Sequence, residues 1–223
     1  MAALSHAYTI AVNEWEWLDS NPVIKVKKPS LPQGRDRFLD EDEREKLLQV
    51  CQESQCAYLY PIVIIAISTG ARRGEILNLR WRDVDLERGL ARLVKTKNNE
   101  KRAIPLTHLA LEIIQKLYRM ENPSKTDFLF PRADGKKPVE ITKHWKKALI
   151  EAEIEDFRFH DLRHTAASYL AMNGATLAEI AEVLGHKTLQ MVKRYAHLSD
   201  QHTASVVERM NRKIFSDDVE GDD

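Results

Sequence analysis

Cysteine is nearly absent: the chain has two among 223 residues, Cys51 and Cys56. Five positions apart in a helical stretch, they point in different directions, which argues against a disulfide and fits a reducing cytosol. Long apolar runs are missing as well. The longest, Tyr58 to Ile67, is interrupted by Pro61. It falls short of the roughly 18 residues a membrane-spanning helix requires, and it reads as a buried core helix. No signal peptide precedes the first charges. Glycine and proline are few, eight of each, which leaves no low-complexity tract. The composition is that of an ordinary soluble protein, with length for one domain or for one domain plus a fragment of another.

Net charge is missing too. Lys and Arg balance Asp and Glu at 34 each, which taken alone argues against nucleic acid. The distribution argues the other way. Residues 61–150 hold 19 Lys and Arg against 10 Asp and Glu, and the flanks hold 15 against 24. Affinity for phosphate follows the local field rather than the total charge, so a basic middle is compatible with a DNA footprint. A solvated helix face is the duller explanation of the same excess.

The hydrophobic period sorts the chain into a mainly α fold with one small three-stranded antiparallel sheet, an α+β class. A helix is expected over 4–18, stopped by Asn21-Pro22. A basic linker punctuated by Pro29, Pro32 and Gly34 follows. Asp40 with Glu43 three residues on is a capping box. Helices are expected at 41–53, 57–69 and 74–79. Strands are expected around Val84 and Leu86, over Leu90 to Val94, and at Ala103-Ile104-Pro105, with a polar turn from Lys97 to Lys101. Further helices are expected at 107–120, 140–153, 161–172, 177–184, 189–197 and 202–214. Gly174 and Gly185 stand where C-caps belong, and Thr176 and Thr188 where N-caps belong. This divides the chain into 1–35, a helix with its linker; 36–215, the main domain; and 216–223, an acidic tail expected to be disordered.

Three segments carry chemistry. Thr69-Gly70-Ala71-Arg72-Arg73-Gly74-Glu75 joins the buried helix to a short one. His160-Asp161-Leu162-Arg163-His164 opens another helix. Leu184-Gly185-His186 precedes Lys193-Arg194-Tyr195. Lys97, in the polar turn, is a weaker fourth element. His160 and Arg163, at i and i+3, share a face near a helix N-terminus, where free N–H groups favour an anion. Arginine suits a phosphate because its planar fork bonds two oxygens and stays charged.

The ordered pattern T-G-x-R, K, H-x-x-R, L-G-H and, after eight residues, Y resembles the catalytic signature of the tyrosine recombinase (phage integrase) family. The resemblance covers residues 36–215, and the initial helix and linker resemble the end of that family's core-binding domain. It implies that Arg72 and Arg163 clamp the scissile phosphate. It makes His160 the first histidine of the second box, His186 the position filled by His or Trp, Lys97 the hairpin lysine and Tyr195 the nucleophile. His164 matches the last position of its box as a packing or hydrogen-bonding residue, and Arg73 falls where the family varies. Glu75, read by itself, is structural, pairing with a nearby arginine or capping a helix.

The chemistry these roles demand is plain. A phenol with a pKa near 10 is a poor nucleophile at pH 7. It needs a base or a positive site, which His160 or the arginines can supply, and the departing 5′-oxygen needs an acid, for which Lys97 is placed. A 3′-phosphotyrosine link conserves the bond energy, so no metal, ATP or other cofactor is expected. Double-stranded DNA is the expected partner, bound by a monomer that assembles into a homo-oligomer, a tetramer, on paired sites. The expected location is the cytoplasm of a bacterial host, at the nucleoid.

Each residue taken singly has a duller explanation. Arg72 alone is a helix-capping surface arginine, and Tyr195 alone is a core tyrosine like Tyr58, Tyr60 and Tyr169. His160 and His164 lack the Glu and the third ligand of an H-E-x-x-H metal site. Two other functions compete with the recombinase. One is a type IB topoisomerase, which relaxes DNA with a similar residue set. The other is a non-catalytic helix-turn-helix module over Ala166 to Leu198. Only the joint pattern favours the recombinase.

Overall fold

Residues 1–27, 35–93 and 102–215 are described in the computed structural model, without the side chains of 199–203 and 205. Lys97 and the acidic tail, 216–223, lie outside the described residues. Backbone contacts divide the chain into two units, Met1–Arg35 and Asp36–Asp223.

The first unit holds α1 (Ala2–Asn13) and a 3-10 turn, Pro22–Lys25. The helix is shorter than the expected 4–18. It ends at Asn13, and Glu16, with a φ of +51°, keeps it from resuming. Trp15 and Trp17 therefore leave the helix and pack on one another at 4.6 Å. Asn21 does more than stop the helix: its side-chain amide donates to the Ser5 carbonyl at 2.8 Å and to the Thr9 hydroxyl at 3.0 Å.

In the second unit the order is α2 (Glu41–Gln52), α3 (Leu59–Thr69) and α4 (Arg73–Leu77). Strands β1 (Val84–Asp85), β2 (Leu90–Leu93) and β3 (Arg102–Pro105) follow, then α5 (His108–Glu121), α6 (Thr142–Glu151), α7 (Asp161–Met172), α8 (Leu177–Leu184) and α9 (Asp200–Phe215). The fold is mainly helical with the expected antiparallel sheet, in the order β1-β2-β3. Its register pairs Val84 with Ala91 and Ala91 with Ile104. The capping boxes of Asp40 with Glu43 and of Thr176 with Glu179 are both formed.

Helix α3 is apolar on every side and buries eight of its 11 residues, so it must be surrounded. Helices α2, α5 and α7 pack around it. Leu47, Ile62, Ile65, Ile114 and Phe130 are fully buried in the resulting core, each Leu, Ile or Phe contributing about 1.5–3 kcal/mol. Cys51 and Cys56 are free thiols in that core, and burial pushes the Cys51 thiol up to about 12. Thr165 of α7 accepts the Leu39 N–H at 3.1 Å, and the Tyr169 hydroxyl donates to the Leu39 carbonyl at 3.1 Å. The start of the unit is thereby tied to α7.

A second cluster joins α7 and α8 through Ala167, Ala171, Ile180, Leu184, Val192 and Tyr195. The expected helix over 189–197 is instead two 3-10 segments, Leu189–Met191 and Lys193–Ser199. The reason is steric. Residues at i and i+3 eclipse in a 3-10 turn, which aligns Val192 and Tyr195 toward the same cluster. Their burial, at 0% and 3% exposure, and the bond from the Tyr195 N–H to the Val192 carbonyl at 3.0 Å follow from that alignment. Thr188 precedes the first segment but makes no side-chain cap bond.

Candidate active site

The first box sits where α3 ends. Thr69 closes its last turn by donating to the Ile65 carbonyl at 2.6 Å and accepting the Ala71 N–H at 3.2 Å. Gly70 then reverses the chain with a φ of +61°, and a Cβ there would lie 2.4 Å from Leu184 Cδ2. Only glycine fits both demands. The Leu184 side chain that crowds Gly70 belongs to the third box, so the two boxes touch.

Arg163 binds these boxes together. At 4% exposure, it donates from Nη1 to the Gly70 carbonyl at 2.7 Å and from Nη2 to the Leu184 carbonyl at 2.5 Å. Burial, then the charges of Arg72 and Arg102, pull its pKa down to about 9. It keeps its charge at neutral pH.

Glu75 holds the other two guanidinium groups. Its side chain is 7% exposed and accepts the Arg72 N–H at 2.8 Å, Arg72 Nη1 at 2.9 Å and Arg102 Nη2 at 2.8 Å. Burial alone raises this carboxyl, but the Arg72 amide and the Arg102 charge outweigh it and the pKa is lowered. Glu75 thus does what the sequence suggested, capping α4 and pairing with arginine. Arg102 escaped the sequence reading. It opens β3, donates from Nη1 to the Val183 carbonyl at 2.7 Å, and lies against Gly185. A Cβ on Gly185, whose φ is +65°, would stand 2.8 Å from Arg102 Cδ and Nη1. The one available signal was the glycine of L-G-H, which implied a close neighbour without naming it.

His160, His164 and His186 are all held below the ordinary histidine pKa. Partial burial, then the Arg163 charge, lowers His160, which caps α7 and is open to solvent at one side. His186 is pushed down to about 4 by burial and by Arg163, Arg72 and Arg102, and its Nδ1 is buried without a hydrogen-bond partner among the described residues. Burial, then His160, lowers His164. Arg73 turns away from the three arginines to pair with Glu140 at 3.0 Å and bond Thr142 at 2.8 Å.

Tyr195 is more deeply buried than Tyr58, Tyr60 and Tyr169, which are only half-buried; the sequence had offered those three as the model core tyrosines. Burial raises its phenol, against the lowering charges of Arg194 and Arg163. Its hydroxyl meets His164 Nδ1 at 2.5 Å. His160 stands one ring further off, its centroid 5.6 Å from that of His164 and nearly perpendicular. A recess of about 330 Å³, lined by Phe38, Ser168, Arg194 and Leu198 among others, opens beside Tyr195.

Arg72, at the start of α4, His160 and Arg163, at the start of α7, His186, just past α8, and Tyr195, in the 3-10 segment Lys193–Ser199, therefore come together within one unit. The charges of Arg72 and Arg163 reach both His160 and His186, and that of Arg163 reaches Tyr195. Such a cluster can bind an anion between fixed guanidinium donors and present a hydroxyl to it.

Comparison with known proteins gives a consistent picture. The model of the phage integrase family matches residues 37–202. The chain is 36% identical over 214 residues to the shufflon-specific DNA recombinase of Escherichia coli, covering 96% of this chain and 53% of that protein. It spans about half the length of the curated relatives it matches. Among solved structures, the catalytic domain of bacteriophage HP1 integrase superposes with a TM-score of 0.62 at 30% identity, covering 77% of this chain and 93% of that one. The XerH site-specific recombinase bound to palindromic difH substrate, in a post-cleavage complex, has a TM-score of 0.62 at 26% identity. That match covers 76% of this chain and 52% of the recombinase.

Proposed function

The chain belongs to the phage integrase family, and on that premise we propose that it is the catalytic part of a site-specific DNA recombinase. In this reading Tyr195 attacks a DNA phosphodiester and forms a 3′-phosphotyrosine bond. Arg72 and Arg163 clamp the phosphoryl oxygens, while His160 and His186 hydrogen-bond the same group. Lys97 protonates the leaving 5′-oxygen. Residues 1–35 are the end of a core-binding domain. The observation that carries the reading is Arg163, a buried guanidinium bonded to the carbonyls of Gly70 and Leu184, beside a buried tyrosine within reach of its charge. A structural arginine has no need of a second and third guanidinium at its side.

In the transition state the phosphoryl oxygens gain negative charge, and fixed guanidinium donors favour that state over the ground state. A free 5′-hydroxyl from another strand then reverses the chemistry at the tyrosine. The double-stranded DNA partner is supported by relatives solved with their recombination sites. We place the reaction in the cytoplasm of a bacterial host, on nucleoid DNA; among the described residues no helix is long and apolar enough to cross a membrane. Assembly as a tetramer on paired sites from a free monomer is supported by α9, where Val206, Val207, Met210 and Ile214 are 42–58% exposed. An apolar helix face left open in one copy suits a neighbouring copy.

The test is Tyr195→Phe, which removes one oxygen from a packed ring. DNA binding and folding should persist, and the covalent protein–DNA adduct on a nicked duplex should vanish. An adduct from the Phe variant would remove Tyr195 from the mechanism.

A further inference from the structure

A buried phenol must lose a proton before it attacks phosphorus, and the arginines cannot take it because a guanidinium has no acceptor. His160 is separated from the tyrosine by another ring. His164 does meet the phenol, its Nδ1 lying 2.5 Å from the hydroxyl. Resting on the reading of Tyr195 as nucleophile, we infer that His164 is the general base that receives the Tyr195 proton.

The placement follows from the helix. His164 comes directly after Arg163 on α7, so it points about 100° away from the clamp, toward the 3-10 segment Lys193–Ser199, which packs along α7. The bond from the Tyr195 N–H to Val192 holds the tyrosine backbone in place. The ring centroids of His164 and Tyr195 lie 6.1 Å apart and tilted by 45°, so the two side chains meet at their polar atoms rather than by stacking.

The step balances. The Oη–H bond breaks and its proton passes to Nδ1, leaving an imidazolium. An Oη electron pair forms the bond to phosphorus while the bond to the 5′-oxygen breaks. That oxygen takes a proton from the general acid of the proposed function, Lys97. In the reverse direction His164 returns the proton to the tyrosine. The groups whose charges reach the ring are His160, Asp161 and Arg163 of α7 and Arg194 of the 3-10 segment; Asp36 also acts on Tyr195. Asp161 favours the imidazolium and the arginines oppose it. Burial, then His160, sets the direction and holds the ring below its ordinary pKa.

The experiment uses the full chain and a pool of nicked random-sequence duplexes enriched for binding to it, with the covalent adduct read on a denaturing gel. Adduct from the unsubstituted chain, absent in Tyr195→Phe, establishes the underlying reading; without it that reading fails, whatever His164 does. Given the adduct, His164→Gln and His164→Asn should each slow its formation about 10²-fold or more with duplex affinity kept. Replacing Tyr195 by a fluorotyrosine of lower pKa should shrink that loss, because a more acidic phenol depends less on its base. Variants that react at the native rate or faster would overturn the proposal, the latter showing that the contact only holds the tyrosine back. An equal loss with tyrosine and fluorotyrosine would make His164 a positioning residue. Should both variants fail to fold, nitrogen NMR of the native chain decides: an unprotonated Nδ1 on His164 is expected, and a protonated Nδ1 donating to the phenol oxygen overturns the assignment.

Discussion

Arg163 and Arg73 carry the same charge 90 positions apart in fate: one is buried between two carbonyls, and the other leans on a solvent-exposed glutamate. Removing Arg163 strands the Gly70 and Leu184 carbonyls, at about 1–3 kcal/mol for an unmade buried hydrogen bond. Arg163→Ala should therefore lower the melting temperature and slow adduct formation about 10²-fold or more. Arg163→Lys should remain impaired, since a single ammonium does not reproduce the planar fork that spans both carbonyls. Arg73→Ala should change neither quantity appreciably; a loss as large as that of Arg163→Ala would move Arg73 into the clamp. Glu75 gives the pH prediction. Its pKa is lowered in the fold below its ordinary value of 4.5. Its contribution is thus fully present above that value and is lost as pH falls through the lower, folded one. The native chain should lose more stability than Glu75→Gln when acidified below pH 4.5; parallel melting curves for the two would show that Glu75 carries no such linkage.

At the scale of elements, the turns decide where the site chemistry meets. Gly70 and Gly185 both take left-handed backbone, yet a Cβ would meet different neighbours. At Gly70 it would strike Leu184, which is fully buried, and at Gly185 it would strike the side chain of Arg102. Each alanine variant bears about 1 kcal/mol for its backbone. Gly70→Ala adds overpacking, worth about 1–3 kcal/mol, and should be the less stable of the two by thermal melting. Gly185→Ala should push Arg102 off Glu75 and the Val183 carbonyl, so it should reduce cleavage out of proportion to its loss of stability. If Gly185→Ala cleaves normally, the Arg102 guanidinium is not needed where it stands. The 3-10 geometry of Lys193–Ser199 belongs to this scale too. It trades a regular helix for two inward side chains three residues apart.

For the whole molecule, α9 is the element that its own domain leaves open. Val206, Val207, Met210, Ile214 and Phe215 are exposed along it, and Arg212 pairs with Glu208 at 2.9 Å on the helix surface. An amphipathic helix normally buries its apolar face, and the exposure of this one leaves the face available to a neighbour. Deleting residues 202–223 should then spare binding to one DNA site and impair strand exchange between paired sites, which couples one subunit to the next. Native gels and an exchange assay on the same preparations would check this. Equal loss of both activities would assign the helix to local stability.

The sequence by itself determined most of the helices and strands and the order of the candidate site residues along the chain. Periodicity, caps and turn residues are local signals, and they specified the helices, the small sheet and the buried character of α3. They also marked Arg72, His160, Arg163, His186 and Tyr195, because the boxes are short contiguous strings. Lys97 lies outside the described residues. The tertiary structure decided what no local string contains: that Arg102 shares Glu75 with Arg72, that Arg163 joins two boxes by their carbonyls, and that His164 rather than His160 meets the phenol. Those contacts join positions 21 to 93 residues apart. Their partners are chosen by how α3, α7, α8 and β3 pack, and a helix of given sequence presents neighbouring residues to quite different surroundings. His164 and Arg163 are adjacent in the chain, yet one faces the tyrosine and the other the Gly70 and Leu184 carbonyls, because each successive residue turns about 100° around the axis.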